Sequence, residues 1–312
     1  MSYELPNPDP CAPRHYRGRF APSPSGPLHF GSLVAALGSC LEARCRGGEW
    51  LVRMEDVDAP RTVPGAASTI LRSLEAYGFA WDGPVLWQSQ RLAAYGEALA
   101  QLQAAELAYP CGCSRKEIAE GGGGRSVDGA PRYPGICRHG LPPGRQVRAW
   151  RLAVPDIEVD FEDGLLGPCR QNLQQNVGDF VLLRADGQYA YQLAVVVDDA
   201  FQGITHVVRG ADLLDSTPRQ LWLQDCLAAP RPAYVHLPLA TNEAGEKLSK
   251  QTRAPALDDA DPGPALYRAL AFLGQEPPLE LSRAGQVELW AWALAHWQLD
   301  KVPARRSIVL PA

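Results

Sequence analysis

The chain has 312 residues, 46% of them hydrophobic and 21% charged, with a formal net charge of −5. This is the composition of an ordinary globular protein, which excludes wholesale disorder, and no run of about 18 uncharged apolar residues announces a transmembrane helix. The acidic balance excludes a nucleic-acid partner only when charge is averaged, because residues 111–151 hold eight Lys/Arg against three acidic groups.

Residues 1–14 contain several prolines, lack the basic-then-apolar order of a secretory signal, and read as a flexible tail. Eight cysteines without such a signal argue for reduced thiols and a cytoplasmic location. Residues 17–21 are a candidate strand running into Pro22-Ser23-Pro24-Ser25-Gly26-Pro27, a loop that proline and glycine keep irregular. From His29 to Arg46 the residues Leu33, Leu37, Cys40 and Leu41 recur at helical spacing, and Gly47-Gly48 supplies the stop. Residues 50–54 alternate as a second strand ending at Glu55. Strand, helix, strand is a βαβ unit, whose parallel sheet binds ligands at the carboxyl ends of its strands.

Further helices are predicted over 64–77 and 91–107. Ser114 and Glu117 have capping-box spacing, which puts Cys113 just outside a short helix, and Gly121 to Gly124 form a mobile loop. Strands are predicted over 148–154, 157–161, 180–184, 194–197, 204–208 and 234–239, and a helix over 213–227. A polar loop over 241–252 and helices over 266–273 and 287–299 complete the chain. The expected architecture is α/β, a doubly wound parallel sheet in two halves, 15–107 and 179–240. They are separated by an α+β insertion at 108–178 and followed by a loop and helical extension at 241–312.

Two stretches invite chemistry. The loop from Arg19 to Ser32 lacks both the glycine pattern of a dinucleotide fingerprint and a P-loop lysine, yet it opens a helix whose N-terminal N–H groups favour phosphate. His29 stands where it could donate to that phosphate, and Gly31 lets a flat group approach. The second is Gly245-Glu246-Lys247-Leu248-Ser249-Lys250, which holds two of the chain's four lysines, against twenty-six arginines. A mobile ammonium suits a migrating triphosphate better than a planar guanidinium does. A third cluster, Cys111, Cys113 and Cys137, offers three thiolates for Zn²⁺, with Tyr133 or His139 as a fourth ligand; general metal chemistry favours the histidine.

The pairing of His29-Phe30-Gly31-Ser32 with Lys247-Leu248-Ser249-Lys250 resembles the two signatures of class I aminoacyl-tRNA synthetases. The strings Arg19 to Gly26, Ala194 to Asp199 and Val208 to Leu214 resemble the glutamyl/glutaminyl branch in particular. Cys111-x-Cys113 with Tyr133-x-x-x-Cys137 is similar to the zinc site of the glutamyl-queuosine tRNA(Asp) synthetases, which favours Tyr133 over His139. Phe30, Ser32, Leu248 and Gln251 depart from the commonest class residues.

The resemblance implies a Rossmann-type catalytic domain with a zinc-bearing insertion. It assigns Arg19 and Arg209 to the glutamate carboxylate and Glu55 to the α-ammonium, with Tyr191, Ser23 and the backbone of Phe20, Ala21 and Pro22 completing the pocket. His29 and Lys250 become the catalytic pair, and ATP with Mg²⁺ falls to His29, Gly31, Ser32, Lys247 and Lys250. One structural Zn²⁺ falls to Cys111, Cys113, Tyr133 and Cys137. Residues 251–312 offer too little chain for an anticodon-reading domain, so the implied acceptor is the queuosine base of tRNA(Asp). The alternatives are glutamylation of the tRNA(Glu) 3′ end and a silent RNA-binding paralogue. A monomer without a membrane partner is expected.

Overall fold

The computed structural model of the chain describes residues 15–247 and 255–310. Strand β1 (Arg17–Phe20), helix α1 (Phe30–Cys45) and strand β2 (Glu49–Met54) form the expected unit, with the strands parallel from Arg17↔Glu49 to Phe20↔Val52. The helix stops as its glycines predict. Gly47 takes φ +63° and donates to Arg44 O, while Gly48 donates to Ala43 O, the two bonds of a Schellman motif. Helix α2 (Ala66–Ala76) then leads to β3 (Leu86–Trp87), which pairs with β2, and α3 (Leu92–Ala104) follows.

A separate antiparallel sheet comes next, in which β5 (Ala149–Leu152) lies between β4 (Ala108–Cys111) and β8 (Phe180–Leu183). Between β4 and β5 runs α4 (Arg115–Glu120), opened by the predicted capping box of Ser114 and Glu117. The hairpin of β6 (Glu158–Asp163) and β7 (Gly167–Asn172), followed by α5 (Leu173–Asn176), precedes β8.

The residues predicted as a strand at 194–197 are helical instead, within α6 (Tyr191–Phe201). A short β-branched apolar run carries no period of its own, and here Gln192 through Val196 are all buried, so packing overrides the strand preference of three consecutive valines. Strand β9 (His206–Gly210), α7 (Thr217–Cys226) and β10 (Ala233–Leu237) fall close to the expected places. Strand β10 is parallel to β9 and, through Tyr234↔Asp163, to β6. Thr205 N–H donates to Arg17 O at 3.0 Å and brings β9 beside β1. The strands therefore follow the order β3-β2-β1-β9-β10-β6-β7, with the reversal of a doubly wound sheet between β1 and β9.

Helix α1 lies against this reversal. A Cβ on Gly38 would stand 2.6 Å from Leu237 Cδ1, so any larger residue there would force the buried Leu237 side chain to shift. Leu33, Leu37 and Leu41 share the main core with Trp50, Val52 and, from α8 (Gly263–Phe272), Leu266 and Leu270. Helix α9 (Gln286–His296) packs on α1 and α8. The short β11 (Leu239–Thr241) pairs with β12 (Ser307–Val309). None of the described helices is long and apolar enough to cross a membrane.

Candidate active site

A cleft of about 680 Å³ opens at the carboxyl ends of β1, β2 and β9. Its walls carry Arg19, Phe20, Ala21, Pro22, Ser23, His29, Gly31, Ser32, Glu55, Tyr191, Arg209 and Lys247. Every described residue that the sequence pointed to for glutamate or ATP thus stands on one cavity. Lys250 lies outside the described residues, with Leu248 and Ser249. A second cleft of about 530 Å³, near Arg17, Trp87 and Phe201, gathers none of them.

His29 is the N-cap of α1, in extended conformation at φ −128° and ψ 174°, and its Nδ1 accepts from Ser32 N–H at 3.3 Å. An accepting Nδ1 places the ring proton of the neutral imidazole on Nε2, which makes that nitrogen a donor. No acidic residue occupies the first turn of α1, so the positive end of the helix dipole acts on the cleft unopposed from within that turn. Across the cleft, Lys247 pairs with Asp212.

Behind these groups lies a buried charge network that sequence reasoning did not find. Arg19 reaches Asp199 Oδ1 at 3.2 Å and Oδ2 at 3.4 Å, while Arg53, fully buried in β2, reaches Asp199 Oδ1 at 2.8 Å and Glu55 Oε1 at 3.4 Å. Two guanidiniums face two carboxylates. Burial works against ionisation of Asp199, yet Arg19 and Arg53 outweigh it and hold that carboxyl below its usual range. For Glu55 burial prevails over Arg53 and Arg19, and its carboxyl is pushed up. Burial, aided by Glu55, likewise pushes the Tyr191 phenol up to about 12. The adjacent Asp198 accepts from Gln88, Arg91 and Tyr95, at 3.0, 2.6 and 2.7 Å. Two neighbouring aspartates at the end of an apolar helix, and one arginine inside an apolar strand, were the available signals.

Arg209 is held differently. Its guanidinium donates to His236 Nε2 (3.0 Å), Gln220 Oε1 (2.8 Å), Thr217 Oγ1 (2.8 Å) and Leu213 O (3.3 Å), all uncharged acceptors. Its positive charge faces the cleft without a carboxylate among these partners. His236 is completely buried, and its Nδ1 lies 2.6 Å from Asp163 Oδ2.

Burial, the main cause, pushes the His236 imidazole down to about 4 from an ordinary 6.5. Between pH 6.5 and 4 the unfolded chain takes up a proton that the folded chain refuses, so this contribution to stability is complete above the window and is lost as pH falls through it. The loss amounts to about 3 kcal/mol. Urea midpoints measured across that range will fall with acid in the wild type, and less steeply in His236→Gln; equal slopes would exclude a buried neutral imidazole.

The thiols of Cys111, Cys113 and Cys137 are buried and lie within 4.8 Å of one another. Cys113 Sγ and Cys137 Sγ are 3.6 Å apart, and Tyr133 Oη lies 3.5 Å from Cys111 Sγ and 3.6 Å from Cys113 Sγ. Tetrahedral zinc with bonds of about 2.3 Å to sulfur and about 2.0 Å to oxygen sets ligand separations of roughly 3.5–3.8 Å; the Cys113–Cys137 and the two Tyr133 separations match these, and the thiols, all within 4.8 Å of one another, can close around the ion. His139 is exposed, outside the cluster. The Arg145 and Arg151 guanidiniums, at Cys113 and over the Tyr133 ring, supply positive charge beside the thiols.

A doubly wound sheet with a helix N-terminus at the reversal, beside a cleft that combines arginines with a buried glutamate, suits a nucleotide and an acidic substrate. Residues 15–277 match the catalytic domain of the class I tRNA synthetases (E and Q), and the chain belongs to that family. It is 63% identical over 297 residues to the glutamyl-Q tRNA(Asp) synthetase of Dechloromonas aromatica, covering 95% of this chain and 99% of the relative. It is 60% identical to the one from Chromobacterium violaceum, over 93% of this chain and 96% of the relative. The fold is similar to the glutamate-tRNA synthetase of Elizabethkingia anophelis, with a TM-score of 0.78 at 25% identity, over 96% of this chain and 68% of that structure. The resemblance to the glutamyl-queuosine branch is borne out by these relatives.

Proposed function

We propose that the protein activates L-glutamate with ATP and esterifies it to the queuosine base of tRNA(Asp). One observation carries the reading: the cleft gathers every described residue assigned to glutamate or ATP, while the chain's nearly full-length relatives are glutamyl-Q tRNA(Asp) synthetases. An oxygen of the glutamate α-carboxylate attacks the α-phosphorus of ATP, the bond to the β-phosphate breaks, and pyrophosphate leaves. A queuosine hydroxyl then attacks the acyl carbon and displaces AMP.

The protein supplies position and charge rather than a nucleophile. Arg209 binds the side-chain carboxylate, with Arg19 behind it, and Glu55 with Tyr191 receives the α-ammonium. Ser23 and the backbone from Phe20 to Pro22 close the pocket. His29 Nε2–H and the start of α1, at Gly31 and Ser32, stabilise charge on the α-phosphate, while Lys247 and Lys250 serve the outer phosphates. Mg²⁺ accompanying ATP would supply shielding of the phosphate charge. Cys111, Cys113, Cys137 and Tyr133 would hold a zinc ion that would crosslink the module of β4 and α4 and supply no step of the reaction. The same reading makes the enzyme a cytoplasmic monomer.

Labelled glutamate will enter tRNA(Asp) that carries queuosine, will not enter an unmodified tRNA(Asp) transcript, and will survive removal of the 3′-terminal adenosine. Label on tRNA(Glu) instead overturns the assignment. For the metal, elemental analysis should return one zinc per chain, and Cys137→Ser should lose it together with several degrees of melting temperature. A zinc-free protein that melts at the wild-type temperature after chelation would exclude the site.

A further inference from the structure

Arg209 can aim at a substrate only if its own fork is fixed, and the geometry around it shows how that is done. Its Nε–H can only donate, so His236 Nε2, 3.0 Å away, must accept. Thr217 Oγ1 lies 3.2 Å from the same nitrogen. The single proton of the neutral ring then sits on Nδ1, which donates to Asp163 Oδ2 at 2.6 Å. Asp163 cannot turn away, because its Oδ1 accepts the N–H groups of Leu165 (3.1 Å), Leu166 (2.9 Å) and His236 (3.3 Å). Asp163 ends β6 and His236 lies in β10, so the relay crosses the sheet to the arginine on β9.

We propose that Asp163 and His236 are positioning residues for glutamate: the carboxylate sets the imidazole tautomer, and the tautomer holds the Arg209 guanidinium in its substrate-binding orientation. This inference rests on the assignment of Arg209 to the glutamate side chain.

Asp163→Asn tests it with almost no change in shape. Three N–H donors at the Oδ1 place require the amide oxygen there, which turns the amide nitrogen and its protons toward His236 Nδ1. The ring proton must move to Nε2, and Arg209 Nε–H then faces another donor. In ATP–pyrophosphate exchange, Asp163→Asn and His236→Leu should raise the glutamate KM by about tenfold or more, as loss of a hydrogen bond to a charged group does. The ATP KM and kcat should stay within about threefold, because the reacting atoms keep their partners. His236→Gln retains an acceptor near the Nε2 place and should restore the glutamate KM.

Asp163→Asn with a wild-type glutamate KM, while Arg209→Gln loses glutamate binding, overturns the relay and leaves the role of Arg209 intact. A wild-type KM in Arg209→Gln overturns both. A readout free of any folding defect is the ¹⁵N spectrum of His236 in the wild-type enzyme at neutral pH. A proton on Nδ1 supports the relay, and a proton on Nε2 refutes it.

Discussion

His29→Ala will lower kcat for glutamate-dependent ATP–pyrophosphate exchange by about 10²–10³-fold, the usual cost of removing one preorganised donor to charge that develops in a transition state. The alanine variant confounds two losses, because Nδ1 is also the N-cap acceptor for Ser32 N–H. Loss of a cap costs about 1 kcal/mol of stability and disturbs the first turn of α1. His29→Asn separates them. Asparagine is a preferred N-cap, so its side-chain oxygen can take over the bond to Ser32, but it places no donor where Nε2–H stood. The asparagine variant should melt like the wild type and still lose most of its rate, with the glutamate KM little changed. A wild-type kcat in His29→Asn would remove His29 from the chemistry and leave it a helix cap.

What could be read from the sequence was local or periodic. The Schellman stop of α1 and the capping box of α4 are encoded within a few consecutive residues, and both appear where expected. The irregular loop from Pro22 to Pro27 and the helix that follows it put His29 and Gly31 on the cleft by chain continuity alone. Helix α6 was misread because Val195-Val196-Val197 has strand propensity and the run is too short to show a helical period, whereas burial on nearly every side decides its form. The partners of the site arginines were out of reach for another reason. Asp163 and His236 are 73 positions apart and meet through the sheet order, while Arg19 and Asp199 are 180 apart and meet where α6 packs on the sheet. Tyr133 shows the same limit from the other side. General ligand chemistry favoured His139, and the hydroxyl that actually meets the thiols could be named only through a resemblance.

Arg53→Met will destabilise the protein by about 3–5 kcal/mol, the range for removing one partner from a buried ion network. Methionine approximates the arginine stem, so the lost quantity is charge and hydrogen bonding more than volume. Arg53 has no exposure and serves three acceptors: Asp199 Oδ1 at 2.8 Å, Gln202 Oε1 at 2.8 Å and Glu55 Oε1 at 3.4 Å. Without it, Asp199 keeps only the longer bonds to Arg19, and Glu55 loses the cation that offsets its burial. The Glu55 carboxyl should then be pushed up further, toward its protonated form. A neutral Glu55 is a poorer partner for the α-ammonium of glutamate, so the glutamate KM should rise as well. Denaturant unfolding at pH 7 measures the first effect, and a melting temperature lowered by roughly 10 °C is the corresponding shift for a domain of this size. Because the two residues are in contact, the double variant Arg53→Met/Glu55→Gln should cost less than the sum of its parts. A single-variant loss below about 1 kcal/mol would mean that Arg19 alone balances both carboxylates, and that the charge network does not depend on Arg53.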